Sequence, residues 1–518
     1  MDGEPLSEGG SPARPSIPHR GRPGPGRPPG GRDLTRGPIT RTLLVFSLPL
    51  LGGNALQSLN GTVNQFWVSH TLGEVAITAL GNANIVMMLM IGVVFGVGMA
   101  ANILVAQAIG GGNLPLVKRV MGTATTFFVG LSVLVAVLGG LLAPSILTLM
   151  GTPAESRADA IVYLTIVFAA VPFMYFFMFM QMAQRGAGDS TTPFWFLGLA
   201  IVIDIVLNPL LIRGIGPFPK LGIAGSATST LIGQSVSLIC LMVYLYRKKS
   251  ILVLHLSELH LLRPDPQIMM SLVSRGLPMG LQMLVMNGVA VVMISFVNRY
   301  GALTSAAFSI SSIIWSYMQM PTMAIGASVS SMAAQNVGAG RWDRVAQVAR
   351  AGVISGLVVS GSIGALLYLF DREVLSILLP AHSPALALAV HINRLVLWGL
   401  VLFSVTFALS GVVRSTGAVW VPMAILIFSM VAVRVPFAAL MIPRLGADAI
   451  WWSFPLGTIC SAALTSLYYK FGPWRRSRML KEEPRGQTAD GGLTAPSMAP
   501  RLDEMPREEE RDEIAATA

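Results

Sequence analysis

Ala106-Gln107-Ala108-Ile109-Gly110-Gly111-Gly112 returns 228 residues later as Ala334-Gln335-Asn336-Val337-Gly338-Ala339-Gly340. Three further pairs keep the same order at an offset of 229: Leu48-Pro49 with Leu277-Pro278, Trp67-Val68-Ser69 with Phe296-Val297-Asn298, and Arg185-Gly186-Ala187-Gly188 with Arg414-Ser415-Thr416-Gly417. In the last pair Pro193 and Pro422 follow at equivalent places. Four ordered matches at a nearly constant spacing mark an internal duplication.

Hydropathy shows what is duplicated. The 518 residues are 53% hydrophobic and 12% charged, with mean hydropathy +0.66. Soluble domains carry about twice that charged fraction. Apolar runs long enough to span a bilayer as helix recur through most of the chain. They divide into twelve spans, near 41–69, 76–109, 117–143, 157–185, 193–213, 222–246, 268–299, 303–336, 342–370, 385–414, 419–442 and 447–471. Six spans per copy return the chain to its starting side, so both copies share one orientation. The expected fold is an all-α integral membrane protein of two six-helix bundles, related by a pseudo-two-fold axis along the membrane normal. The N-lobe is expected over 39–246, an inter-lobe linker over 247–275 and the C-lobe over 276–472. Tails over 1–38 and 473–518 are expected to be disordered from their Pro-Gly-Arg and charged compositions.

The charge has a side. With the first tail inside, internal connections hold twelve basic residues and external ones six, which places both termini in the cytoplasm. The net charge of +11 therefore reflects membrane topology. No basic groove interleaved with aromatics points to nucleic acid. The Ala, Gly, Arg and Val usage points to a bacterial inner (plasma) membrane. Cys240 and Cys460 both lie in apolar spans, which argues against a disulfide framework or metal site. The Gly-rich connections follow no strand and match no phosphate-loop spacing, so they read as tight turns. Asn60-Gly61-Thr62 fits a glycosylation sequon but lies within the first span.

Asp204 is the one acid deep in an apolar span; the other ten acids between Thr42 and Gly472 fall in connections. Intramembrane acids mark ion pathways more often than structure. Asn208 lies four residues on, on the same helical face, and Gln57, Asn60 and Asn64 share a face of the first span. Amides hydrogen-bond a carboxyl in either protonation form, which suits a group that takes up and releases a proton. Amide oxygens of Asn64 and Asn208 beside a carboxylate would also suit sodium. Thr228 and Ser229 are candidate polar neighbours in the sixth span. Pro49 is a candidate bending point in the first, and Pro172, Pro278, Pro321 and Pro436 interrupt other spans. Arg434, inside the eleventh span, is a candidate partner across the cavity, a site for an anionic group, or a snorkelling cation. The chain's methionines, many of them clustered as at Phe173–Met180, are mostly bilayer-facing filler, with some share in an adaptable cavity wall. A single buried acid cannot assemble the clustered carboxylates that an intramembrane transferase needs for Mg²⁺, so an enzyme is not expected.

These features resemble the multidrug and toxic compound extrusion (MATE) family over about residues 38–472. The resemblance rests on Leu48-Pro49, the Arg185–Pro193 segment, Asn208-Pro209, Ala334–Gly340 and the six-plus-six repeat. It implies a secondary antiporter, driven by protons or sodium and without other cofactor, that exports organic, cationic or amphipathic compounds by alternating access. Substrate and bilayer would be its partners, and the chain would act as a monomer. It also implies that the first and fifth spans line the N-lobe, bringing Asp204 and Asn208 to Asn64, Asn60 and Gln57. The sequence departs from family patterns at three places. Asn64 stands where many members carry an acid, Asp204 and Asn208 exchange the usual Asn and Asp, and Pro278–Asn287 holds no acid. A flippase for a lipid-linked precursor, from the wider superfamily, is the alternative; such a protein would want several cations facing its cavity.

Overall fold

The computed structural model describes residues 31–379 and 383–480. Twelve long helices carry the fold: α1 Ile39–Leu72, α2 Glu74–Gly110, α3 Leu114–Leu149, α4 Ala154–Gly186, α5 Thr191–Arg213, α6 Ile223–Arg247, α7 Pro266–Asn298, α8 Ala302–Gly338, α9 Trp342–Leu369, α10 Pro384–Ser415, α11 Trp420–Leu445 and α12 Asp448–Phe471. Eleven are long and apolar enough to cross a membrane. The exception, α8, is among the longest but holds eight serines.

Local chemistry sets the boundaries. Asn113, Asp265 and Ser383 accept backbone N–H groups at the starts of α3, α7 and α10, each with proline in the first turn. The repeated Gly-rich turns place Gly112 and Gly340 at φ of 69° and 70°, a left-handed conformation that favours glycine. Pro49, Pro172, Pro278 and Pro321 sit within continuous helices. Helix α11 is the interrupted one, with a π-helical turn at Phe428–Arg434 just before Pro436.

In the N-lobe α4 packs against α2, α3 and α6, and α5 against α6. The C-lobe repeats this with α10 against α8, α9 and α12. The lobes meet along α1, α2, α7 and α8. Glycines permit the approach: a Cβ on Gly96 would lie 2.3 Å from the Gly276 carbonyl oxygen. Gly110 and Gly338 would meet the carbonyl oxygens of Gln335 and Gln107 at 1.9 and 2.0 Å. Two glutamines of the repeated motif then clasp the lobes reciprocally. Gln107 Nε2 donates to the Ser415 carbonyl at 2.5 Å, and Gln335 Nε2 to the Gly186 carbonyl at 2.8 Å.

Two expectations on the tails are corrected. Residues 31–38 are a strap across this clasp, not part of a free tail. Leu34 is fully buried; its N–H donates to Gln335 Oε1 at 3.1 Å and its carbonyl accepts from Asn336 Nδ2 at 3.1 Å. Arg341 holds the Thr35 carbonyl, and Arg32 N–H bonds the Gly188 carbonyl of the N-lobe. At the other end, Trp474 and Met479 are buried, and the Met479 carbonyl accepts from Ser271 Oγ at 2.6 Å. An isolated apolar side chain in a polar stretch suffices to dock where backbone partners await it. The linker is also shorter than expected: α7 begins at Pro266, and a 3-10 turn, Leu256–Leu262, precedes it. Lys118 on α3 holds Glu258 at 2.7 Å, and Arg119 pairs with Asp265. Burial alone would raise the Glu258 and Asp265 carboxyls, but hydrogen bonds from these bases and from backbone N–H groups bring both below their usual range. Residues 1–30 and 481–518, also assigned to tails, lie outside the described residues.

Candidate functional site

Asp204 lies in the middle of α5 and is 3% exposed. Three side chains donate to it. Ser229 Oγ reaches Oδ1 at 2.5 Å, Asn60 Nδ2 reaches Oδ2 at 2.9 Å, and Thr230 Oγ1 lies 3.2 and 3.3 Å from the two oxygens. Among the described residues no Lys, Arg or His pairs with it. One turn further along, Asn64 Oδ1 accepts from Asn208 Nδ2 at 3.0 Å and from Ser226 Oγ at 2.6 Å. Asn208 Oδ1 is sealed from solvent with no hydrogen-bond partner. Tyr163, buried on α4, adjoins Asn64 and Asp204.

Small residues bring these groups together. On α6, Gly225, Ser229 and Gly233 recur every four residues and turn one narrow face to α5. A Cβ on Gly225 would lie 2.6 Å from the Leu211 carbonyl carbon, and one on Gly233 2.7 Å from the Ala200 oxygen. On α1, Gly52 and Gly53 lie under Phe194 and Leu197 of α5 and bring Asn60 and Asn64 within reach.

The structure thus joins Asp204, Asn208, Asn64 and Asn60 in one cluster. It does not join the others. Gln57 is exposed and takes no part in the hydrogen-bond network. Thr228 turns its hydroxyl to the Ala224 carbonyl of its own helix at 2.7 Å, because it lies on the opposite side of α6 from Thr230. Pro49 sits three turns before Asn60 and touches none of these groups; its missing N–H leaves the Val45 carbonyl without a helical donor. Thr230, Ser226 and Tyr163 were not singled out from the sequence. The glycine spacing on α6 is the signal that picks out the face of Ser226, Ser229 and Thr230.

The first turns of α1 belong to another neighbourhood. Leu43, Phe46 and Leu50 pack with Ile325, Val329 and Val412 of the C-lobe. One helix therefore carries a donor of the N-lobe carboxyl, Asn60, on one stretch and a contact with the opposite lobe on another, with Pro49 within the latter.

Two parallel six-helix repeats, the first with a buried carboxyl midway along α5, are an architecture of membrane transporters. More specifically, the chain belongs to the MatE family, whose profile matches it twice, over 49–210 and 278–440. It is a transporter of the multidrug efflux family and not an enzyme, as expected. The probable multidrug resistance protein YoeA of Bacillus subtilis is 34% identical over 445 residues, covering 86% of this chain and 96% of that protein. A FAD transporter of Shewanella oneidensis is 28% identical over 314 residues, 61% of this chain and 69% of that one. Among solved structures, an outward-facing multidrug resistance MATE family transporter superposes with a TM-score of 0.78 at 20% identity, covering 84% of this chain and 96% of that one. A MATE crystal structure in complex with MaD3S gives the same TM-score at 21% identity. These structures share the fold of twelve helices in two bundles.

Proposed function

We propose that this chain exports organic, amphipathic or cationic drug-like compounds across a bacterial inner membrane, and that proton exchange at Asp204 drives the cycle. The observation that carries this reading is a buried carboxyl with three hydrogen-bond donors and no basic partner. A group locked to an arginine would stay charged; this one has neighbours that serve both forms. Charged, Asp204 accepts from Asn60, Ser229 and Thr230. Protonated, it donates its own O–H, and a hydroxyl turns to accept it.

Loss of the charge weakens the bond to Asn60 and so loosens α1 from α5 and α6. The first turns of α1 rest on the C-lobe, so the change reaches the lobe interface, with Pro49 as the bending point. The face bearing the termini is the cytoplasmic one by the placement of basic residues, and here the lobes are closed on it. Compounds leave on the opposite side, and proton entry to Asp204 resets the lobes.

Sodium is the second reading. It is favoured by Asn208 Oδ1, a sealed acceptor without a donor beside a carboxylate and the Ser226 hydroxyl. The cycle needs no other cofactor, and one copy of the chain holds the complete cluster, consistent with a monomer. A lipid-precursor flippase is less favoured, because among the described residues Arg434 is the one buried cation well inside a span.

Purified protein in liposomes decides the matter. Dye movement should follow an imposed pH gradient in sodium-free buffer, and Asp204→Asn should abolish it. Movement that follows a sodium gradient alone selects the second reading. Full gradient-driven movement by Asp204→Asn removes the carboxyl from the mechanism.

A further inference from the structure

The C-lobe holds a cation where the N-lobe holds its acid. Gly233 of α6 lies against the Ala200 carbonyl and, at 3.6 Å from an added Cβ, the Asp204 amide of α5. Gly457 of α12 lies against the Ser429 carbonyl and the Arg434 Cβ of α11, both at 3.4 Å. Ala200 to Asp204 is a step of four residues; Ser429 to Arg434 is a step of five. The extra residue is the π-helical turn at Phe428–Arg434. The two family matches start 229 residues apart and end 230 apart, a difference of one residue. Turns of this kind are frequent at functional sites.

The same register sets Ser453 and Phe454 of α12 in the places of Ser229 and Thr230 of α6. The Arg434 guanidinium carbon lies 3.4 Å from the Phe454 ring centroid. A ring that supports a cation thus replaces the hydroxyl that supports a carboxylate.

Arg434 is only 9% exposed, and among the described residues no acid pairs with it. Its Nη1 has a weak contact to Met430 Sδ at 3.6 Å, and its Nε is sealed with no partner. Ser429, whose carbonyl lies with Arg434 against Gly457, has a hydroxyl that is sealed and unpartnered as well. A guanidinium offers five N–H donors in a fork that matches an oxyanion. A ring face and one thioether leave most of them unused, and a buried charge without an acceptor is costly.

We infer that Arg434, with Ser429 and the Phe454 ring, forms in the C-lobe a binding site for a carboxylate or phosphate group borne by an aromatic compound that the chain exports. The inference rests on the exporter reading above and narrows its substrates to amphiphiles that carry an acidic group. An anionic lipid headgroup offers the same oxyanion and is the other source.

The test compares rhodamine B, which carries a carboxylate, with its ethyl ester, by fluorescence anisotropy on the purified full chain. Arg434→Gln should weaken binding of the carboxylate dye about tenfold or more and leave the ester unchanged. Arg434→Lys should recover part of the loss, because it keeps the charge but not the fork. Nanodiscs with and without phosphatidylglycerol separate the sources: if that lipid displaces the carboxylate dye and liposomes bearing wild type do not move the dye, the headgroup is the natural occupant. Equal weakening of both dyes with a lowered melting temperature, or no weakening of either, overturns the site and leaves Arg434 a packing residue on Phe454. If neither dye moves under any gradient while the Arg434-dependent difference in binding persists, the exporter reading fails and the oxyanion site stands.

Discussion

Replacing Gln335 by alanine should unfasten the lobes on the face that bears the termini. The side chain is 1% exposed and makes two bonds, donating to the Gly186 carbonyl at 2.8 Å and accepting from the Leu34 N–H at 3.1 Å. Its removal leaves a buried carbonyl and a buried N–H unpaired, at about 1–3 kcal/mol each. Opening the lobes rehydrates both groups, so the penalty falls on the closed state alone. Taking the low end, about 2–3 kcal/mol, the closed-to-open ratio should fall about 30- to 150-fold. Gln107→Ala removes one bond, to the Ser415 carbonyl, and should shift the ratio only about fivefold to tenfold. A reporter at Ala106→Cys, fully buried beside Gly186, reads the opening in a Cys240→Ser, Cys460→Ser background. A water-soluble maleimide should label Gln335→Ala fastest, Gln107→Ala at an intermediate rate and the parent slowest. If Gln335→Ala is labelled at the parent rate with an unchanged melting temperature, the clasp does not hold the closed state.

The site and the linker yield further outcomes. Gly338→Ala puts a Cβ 2.0 Å from the Gln107 carbonyl oxygen and should speed labelling of the same reporter, as Gln335→Ala does. Ser229→Ala and Thr230→Val each remove a charge-assisted bond to Asp204, about 1.5–3 kcal/mol, and should move the pH midpoint of dye uptake. Thr228→Val, on the far side of α6, should leave that midpoint in place. In the linker, Glu258 and Asp265 have folded values below their ordinary 4.5 and 3.8. Their stabilising share is present above those ordinary values and is lost as pH falls through the lower folded ones. Amide protection over residues 253–266, corrected for the intrinsic pH dependence of exchange, should therefore be steady from neutral pH down to about pH 5 and fall in more acid buffer. Lys118→Met should shrink the Glu258 part of that acid response and leave the share held by the His255 N–H.

The repeat, the span count and the lone acid were legible in the sequence because hydropathy and spacing are properties of position along a chain. Asn208, Asn64 and Asn60 were legible as well, since residues three and four apart share a helical face. Thr228 shows where such reading stops. It stands two residues from Thr230, which is about 200° around a helix, and nothing in α6 alone says which of the two looks at α5. The packing of Gly225 and Gly233 on α5 decides it. Tyr163 was invisible for a related reason: α4 meets this cluster only through the bundle, about 40 residues from Asp204 in the chain.

By itself the sequence determined that the protein is a helical membrane duplication with one carboxyl at depth, because a bilayer requires each span to bury apolar length and to satisfy its own backbone. Only the tertiary structure decided which donors face that carboxyl, that Leu34 straps the closed lobes, and that an extra residue in α11 sets Arg434 opposite Asp204 in the repeat. Those outcomes depend on the rotation and approach of one helix against another, and close packing settles these in three dimensions.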